Sequence, residues 1–317
     1  MRIFYASDVH GSDRCFRKFL NAGKFYGADA LVIGGDITGK AIVPLVEQPS
    51  GAVEATFLGK VYVPERAEEI AELERRIADT GYYSARMSVD EAERLRSDPA
   101  AVHDLFIERI VNRVESWMEL ASERLSGDGQ IPCFVNAGND DPFEIDEVIR
   151  AAERVEFLEG AVVELPAGLE LASCGFANKT PWDCPRDVEE DELGKRLEDV
   201  AGAVTDPSWA LFNFHCPPYD SQIDLGPKLD DELRLSQGAG GAEMQPVGST
   251  ACREVLERYQ PLMGLHGHLH ESRGTVKIGR TTCVNPGSEY TEGSLRGATI
   301  DINEKKRKVK NCVLTLG

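Results

Sequence analysis

Five short apolar runs, Arg2–Ala6, Ala30–Ile33, Cys133–Asn136, Ala210–Phe214 and Leu262–Leu265, each lead into Asp, Asn or His, residue types able to ligate metals. Their length and their aromatic and β-branched content read as buried strands. The residues that follow them are, in order, Asp8-Val9-His10, Gly35-Asp36, Gly138-Asn139-Asp140-Asp141, His215 and His266-Gly267-His268-Leu269-His270. Loops at the carboxyl ends of strands in an α/β sheet open onto a common crevice, where residues distant in sequence meet. The expectation is a layered α/β protein with one polar site at its strand ends.

The bulk numbers narrow the function. A chain of 317 residues, 42% hydrophobic and 28% charged, has the composition of a globular protein with a sizeable core. Its formal charge of −19 repels the phosphate backbone of nucleic acid, so nucleic acid is an unlikely partner. A small anionic substrate remains compatible, because bound cations invert the local potential of an acidic site. No window approaches the ~18 apolar residues of a membrane span, and the amino terminus is too polar for a signal peptide. The eight cysteines form no C-x-x-C pair and read as reduced, mostly buried thiols, consistent with a cytoplasmic location.

Residues 40–130 differ in character and read as a helical insertion or cap within a single domain spanning 1–317. Glu54–Val63 suggests a hairpin around Gly59, and Ile70, Leu73 and Ile77 recur at helical spacing within 64–80. Ser97-Asp98-Pro99 starts a longer helix, whose face is Phe106, Ile110, Val114, Trp117, Ala121 and Leu125. Core packing is the default for that face, with homo-oligomer formation or capping of the site as the alternatives. Tyr82, Tyr83 and Arg86 read as an exposed loop, and His103 as a surface residue. The Lys305–Lys310 basic run falls between two strand patterns and reads as a solvated hairpin end.

Hydrolysis of a phosphate ester at neutral pH requires a strong nucleophile and an acceptor for charge on the phosphoryl oxygens. Two divalent ions about 3.5–4 Å apart supply both, held by mixed carboxylate, amide and imidazole ligands. The ordered motifs D-x-H, G-D, G-N-x-D, H and G-H-x-H, present here from Asp8 to His270, resemble those of the calcineurin-like metallophosphoesterases. The resemblance implies a four-layer αββα sandwich of two mixed sheets. It implies that Asp8, His10 and His270 hold a first metal, that Asn139, His215 and His268 hold a second, and that Asp36 bridges them. Manganese, iron and zinc all fit such ligands. Gly35, Gly138 and Gly267 suit the close backbone approach this arrangement needs.

One position departs from the family pattern. Many members carry His after the G-N pair, where it resembles the acid that protonates the leaving oxygen; this chain has Asp140. An ordinary Asp is ionised at pH 7, so Asp140 is a candidate catalytic acid only in a special setting. Members without that His look more like phosphodiesterases, and a small phosphodiester is the expected substrate. The rival readings are a catalytically weak or inactive scaffold of the same fold and a nuclease of the superfamily. Of the neighbouring residues, Asp141 reads as a helix cap or an imidazole partner, Cys216 as packing, and Asn285–Ser288 as a structural turn. His266 reads as orienting a ligand or contacting phosphate.

Overall fold

The computed structural model describes residues 1–127, 130–230, 232–238 and 241–317. Residues 128 and 129, at the end of the expected insertion, lie outside that set. Two six-stranded sheets form the centre. In the first, the order is Lys308–Leu316, Arg296–Asn303, Arg2–Ala6, Ala30–Ile33, Cys133–Val135 and Val155–Phe157. In the second it is Gly274–Ile278, Thr281–Asn285, Met263–Leu265, Ala210–Phe214, Leu169–Cys174 and Val162–Leu165. Both are mixed: the first runs parallel from Arg2–Ala6 to the edge strand Val155–Phe157 and carries its antiparallel strands at the opposite edge, whereas the second has four parallel inner strands between two antiparallel edge strands.

The apolar runs are continuous because each inner strand is covered on both faces. Along Arg2–Ala6, Ile3 and Tyr5 face the second sheet, whereas Phe4 and Ala6 face helices. Along Ala210–Phe214, Leu211 joins the inter-sheet core and Ala210, Phe212 and Phe214 face the opposite way. The helices Asp13–Tyr26 and Pro99–Leu125 cover the first sheet; Glu190–Gly202 and Thr250–Tyr259 cover the second. The result is the expected four-layer α/β sandwich.

The segment 40–130 contains the expected helices and hairpin, together with more strand than the helical reading anticipated. Its four-stranded sheet has the order Lys60–Tyr62, Val53–Phe57, Ile42–Glu47 and Tyr83–Ser88. Ile42–Glu47 and Tyr83–Ser88 pair in parallel across the helix Ala67–Asp79, a local βαβ unit. The exposed-loop reading of Tyr83 and Arg86 is thereby corrected. Tyr83 is buried, its hydroxyl accepting from the Gly39 amide at 2.7 Å, and Arg86 pairs with Glu74. Tyr83–Ser88 alternates over six residues only, too short a run to mark a strand by itself, and the helix Ala67–Asp79 covers the pair.

Asp98 caps the long helix by accepting from the Ala101 amide. Ile110, Val114, Trp117, Ala121 and Leu125 are buried in the core outside the first sheet, where Trp117 stacks on Phe16. His103 is exposed, and Lys305–Lys306 sit in the turn between the last two strands.

Candidate metal centre

The loops after five inner strands converge between the two sheets. Beyond the first strand the backbone stays paired with the second loop: Asp8 N donates to Gly35 O, His10 N to Asp36 O and Gly11 N to Ile37 O. Gly267 N donates to His215 O across the second sheet. Asp8, His10, Asp36 and His268 all have positive φ, a strained conformation for residues with side chains. Gly138 lies against Asp36 and Gly267 against Asp8, so closely that a Cβ on either would strike the carboxylate. Gly35 likewise leaves room for the His215 ring. These are the close approaches expected of the three glycines.

The side chains form two adjoining groups. Asp8, His10 and His270 bring one ligand atom each within 4.8 Å of the others, as do Asp36, His215 and His268. The Nε2 atoms of His10 and His270 are 2.9 Å apart, and His270 Nε2 lies 3.5 Å from Asp8 Oδ1. Asp36 Oδ2 lies 3.2 Å from His215 Nε2 and 3.7 Å from His10 Nε2, facing both groups. Asn139 Oδ1, Asp8 Oδ2 and both ring nitrogens of His215 are buried without a hydrogen-bond partner. Buried polar atoms left unpaired are costly, and a cation between them would satisfy this donor set of carboxylate, amide oxygen and imidazole.

Electrostatics follow the same geometry. Burial raises the Asp8 carboxyl, but His270 and His215 outweigh it and hold it at about 2. Asp36 is held well below the ordinary carboxylate range by His215 and His10 despite its burial. Burial, helped by Lys40, pulls His10 down to about 4. The neutral His10 ring directs Nδ1 at Thr38 O, 3.2 Å away, leaving the Nε2 lone pair for the cluster. His215 is driven the other way: burial opposes the charged form, but Asp36 and Asp8 raise it to about 10.

Several supporting residues escaped the sequence reading. Asp187 accepts from Asn139 Nδ2 at 2.8 Å, which leaves the buried amide oxygen as the unpaired end of the side chain. Ser288 Oγ donates to Asp8 O, and Asn285 Nδ2 donates to Gly267 O and Leu269 O, so the Asn285–Ser288 turn is structural as expected. Asp141 neither caps a helix nor holds an imidazole. Its carboxylate accepts from the Ile37, Thr38 and Gly138 amides and the Thr38 hydroxyl, fastening the second loop to the third. His266 turns away from the cluster and bonds through Nδ1 to Phe214 O and Cys216 O, the carbonyls flanking His215. These contacts tie it to the loop that carries His215. Cys216 is buried packing.

Asp140 sits at the open edge, its Oδ2 3.9 Å from His10 Nδ1 and 2.9 Å from Lys40 Nζ. Lys40 stays firmly protonated: Asp140 and Asp36 overcome the effect of its partial burial. Its position four residues after Asp36 was the one available sequence signal for it. Two cavities flank the cluster. One, of about 580 Å³, is lined by Lys40 and the insertion; the other, of about 440 Å³, is lined by His268, Lys179 and Trp182.

No family model matches the sequence. An uncharacterised protein of Methanocaldococcus jannaschii is 29% identical over 120 residues, covering 37% of this chain and 48% of that protein. The match therefore spans about half the length of that relative. A solved structure with 16% identity superimposes at a TM-score of 0.57, covering 99% of this chain and 98% of its own. A Thermus thermophilus structure with 14% identity does so at 0.52, covering 100% and 97%. These two show that the overall fold recurs among known structures.

Proposed function

We propose that this chain, which resembles the calcineurin-like metallophosphoesterases in motif order and in its four-layer fold, is a metal-dependent hydrolase of a small phosphodiester. The observation that carries the reading is the convergence of Asp8, His10, Asp36, Asn139, His215, His268 and His270, with four of their buried donor atoms unpaired. Asp8, His10 and His270 would hold one divalent ion, Asn139, His215 and His268 a second, and Asp36 would bridge. When bound, such a pair generates a hydroxide at neutral pH and absorbs charge on the phosphoryl oxygens. Manganese, iron and zinc are the candidate metals.

The remaining work falls to this chain's own side chains. Lys40 brings a fixed positive charge to the open edge, suited to a non-bridging phosphate oxygen. Asp140, paired with Lys40 and facing His10, would hold that charge in place at the cluster edge. The flanking cavities favour a diester, which has two substituents to accommodate, over a monoester, which has one. A cytoplasmic setting suits the eight cysteines, all free. Among the described residues, no helix is long and apolar enough to cross a membrane.

The test is steady-state turnover of bis(p-nitrophenyl) phosphate and p-nitrophenyl phosphate by manganese-loaded protein. The expected result is hydrolysis of both, faster for the diester. Faster monoester turnover would overturn the diester preference. Stoichiometric metal with no turnover of either would favour the scaffold reading. A nuclease would instead require tight, salt-sensitive binding of nucleic acid, which the charge of −19 opposes.

A further inference from the structure

The cavity of about 580 Å³ beside Lys40 differs chemically from the other described cavities, each of which has a carboxylate in its lining. It lies where the strands Ile42–Glu47 and Tyr83–Ser88 meet the helix Val89–Ser97 and the start of Pro99–Leu125. Ile42, Val46, Met87, Leu95, Leu105 and Phe106 are the large apolar side chains of its wall, with Val102 at its rim. Its charged or titratable lining consists of Lys40, Arg96 and His103. Among the described residues no carboxylate lines it, although the chain has 54 Asp and Glu. No Ser, Thr, Asn or Gln lines it either, so apart from those three side chains its wall is apolar.

The cavity and the proposed catalytic cluster adjoin at one side chain. Lys40 lines it, and the same Nζ lies 2.9 Å from Asp140, whose Oδ2 is 3.9 Å from His10. An apolar trough free of negative charge, ending on a cation at the cluster edge, is complementary to an anionic head with an aliphatic tail. We infer that this trough binds a single long aliphatic chain esterified to the substrate phosphate, with Lys40 at the junction of chain and head. The inference rests on the proposed phosphoester hydrolysis and specifies its substrate class as an alkyl phosphodiester.

The experiment uses manganese-loaded full-length protein and p-nitrophenyl alkyl phosphodiesters bearing methyl, octyl or dodecyl groups, below their micellar concentrations. The expected result is a kcat/KM at least roughly tenfold higher for octyl than for methyl, because partial burial of the added methylenes is favourable. Val102→Glu and Leu105→Glu place a carboxylate in the trough at positions that are not fully buried. Each should abolish the chain-length gradient while leaving the methyl rate intact. Calorimetric binding of dodecylphosphonate against methylphosphonate gives a readout independent of turnover. Tight binding of dodecylphosphonate that Val102→Glu abolishes, without any turnover, would sustain the trough and sink the hydrolase reading. Turnover with a flat chain-length profile would sink the trough and leave the hydrolase standing. A flat profile together with a halved sedimentation mass in Val102→Glu would assign the face to a second copy of the chain, which also overturns the proposal.

Discussion

The supporting residues around Asn139 show how a single side chain sets the chemistry of its neighbour. A side-chain amide presents oxygen or nitrogen depending on what holds its other end. Here the Asp187 carboxylate accepts from Nδ2, and Asp187 is itself fixed by the Thr180 and Cys184 amides. Asp187→Ala should therefore leave the fold intact and weaken metal binding roughly 10–100-fold, the usual effect of losing an outer partner. Calorimetric manganese titration of the variant checks this, and an unchanged affinity would remove Asp187 from the site. Sequence reading could not find Asp187, because 48 residues separate it from Asn139 and it belongs to no ligand motif. The seven cluster residues were legible for the opposite reason: each stands immediately after an apolar strand. Asp141 had the right neighbourhood, but its role depends on amides of a loop more than 100 residues away.

At the level of elements, the long helix Pro99–Leu125 is anchored through Trp117. The indole is 2% exposed, stacks on Phe16 with ring centroids 4.2 Å apart and donates Nε1 to Asp13 at 2.6 Å. Trp117→Ala should cost roughly 3–5 kcal/mol by leaving a large cavity, and chemical denaturation would measure it. A second prediction concerns Glu159, in the turn before Val162–Leu165. Burial pushes its carboxyl up to about 7, only partly offset by the Gly175 amide, which donates to it at 2.5 Å. The folded value exceeds the unfolded one, so its contribution to stability is complete below the unfolded value. That contribution is lost as pH rises through about 7. Glu159→Gln should gain on the parent in denaturation midpoint between pH 5 and pH 8, and a constant difference would refute the shift. The helices Ala67–Asp79 and Pro99–Leu125 were readable from periodicity. The insertion sheet was less so, because Tyr83–Ser88 alternates over only six residues and depends on Ile42–Glu47 for its partner.

Across the whole molecule, the proposed metal centre is also a fastening between the two sheets. Asp8, His10, Asp36 and Asn139 come from loops of the first sheet, whereas His215, His268 and His270 come from the second. A cation held by both sets binds only the folded chain, so it stabilises the sandwich by mass action. Manganese at about 100 times its Kd should add about 2.7 kcal/mol per site, seen as a rise in Tm of several degrees over chelator-treated protein. Asp36→Asn should lose most of that rise, since Asp36 faces both groups; Val102→Glu, outside the cluster, should keep it. The pH dependence has a definite sign. His215 is held protonated, up to about 10, by Asp36 and Asp8 against its burial, and a metal ligand must be neutral. Manganese binding should therefore release protons into a weakly buffered solution at pH 7, and the gain in Tm should shrink as pH falls from 8 to 6. A pH-independent gain without proton release would mean that the ion binds elsewhere, and the fold would then stand without the function proposed for it.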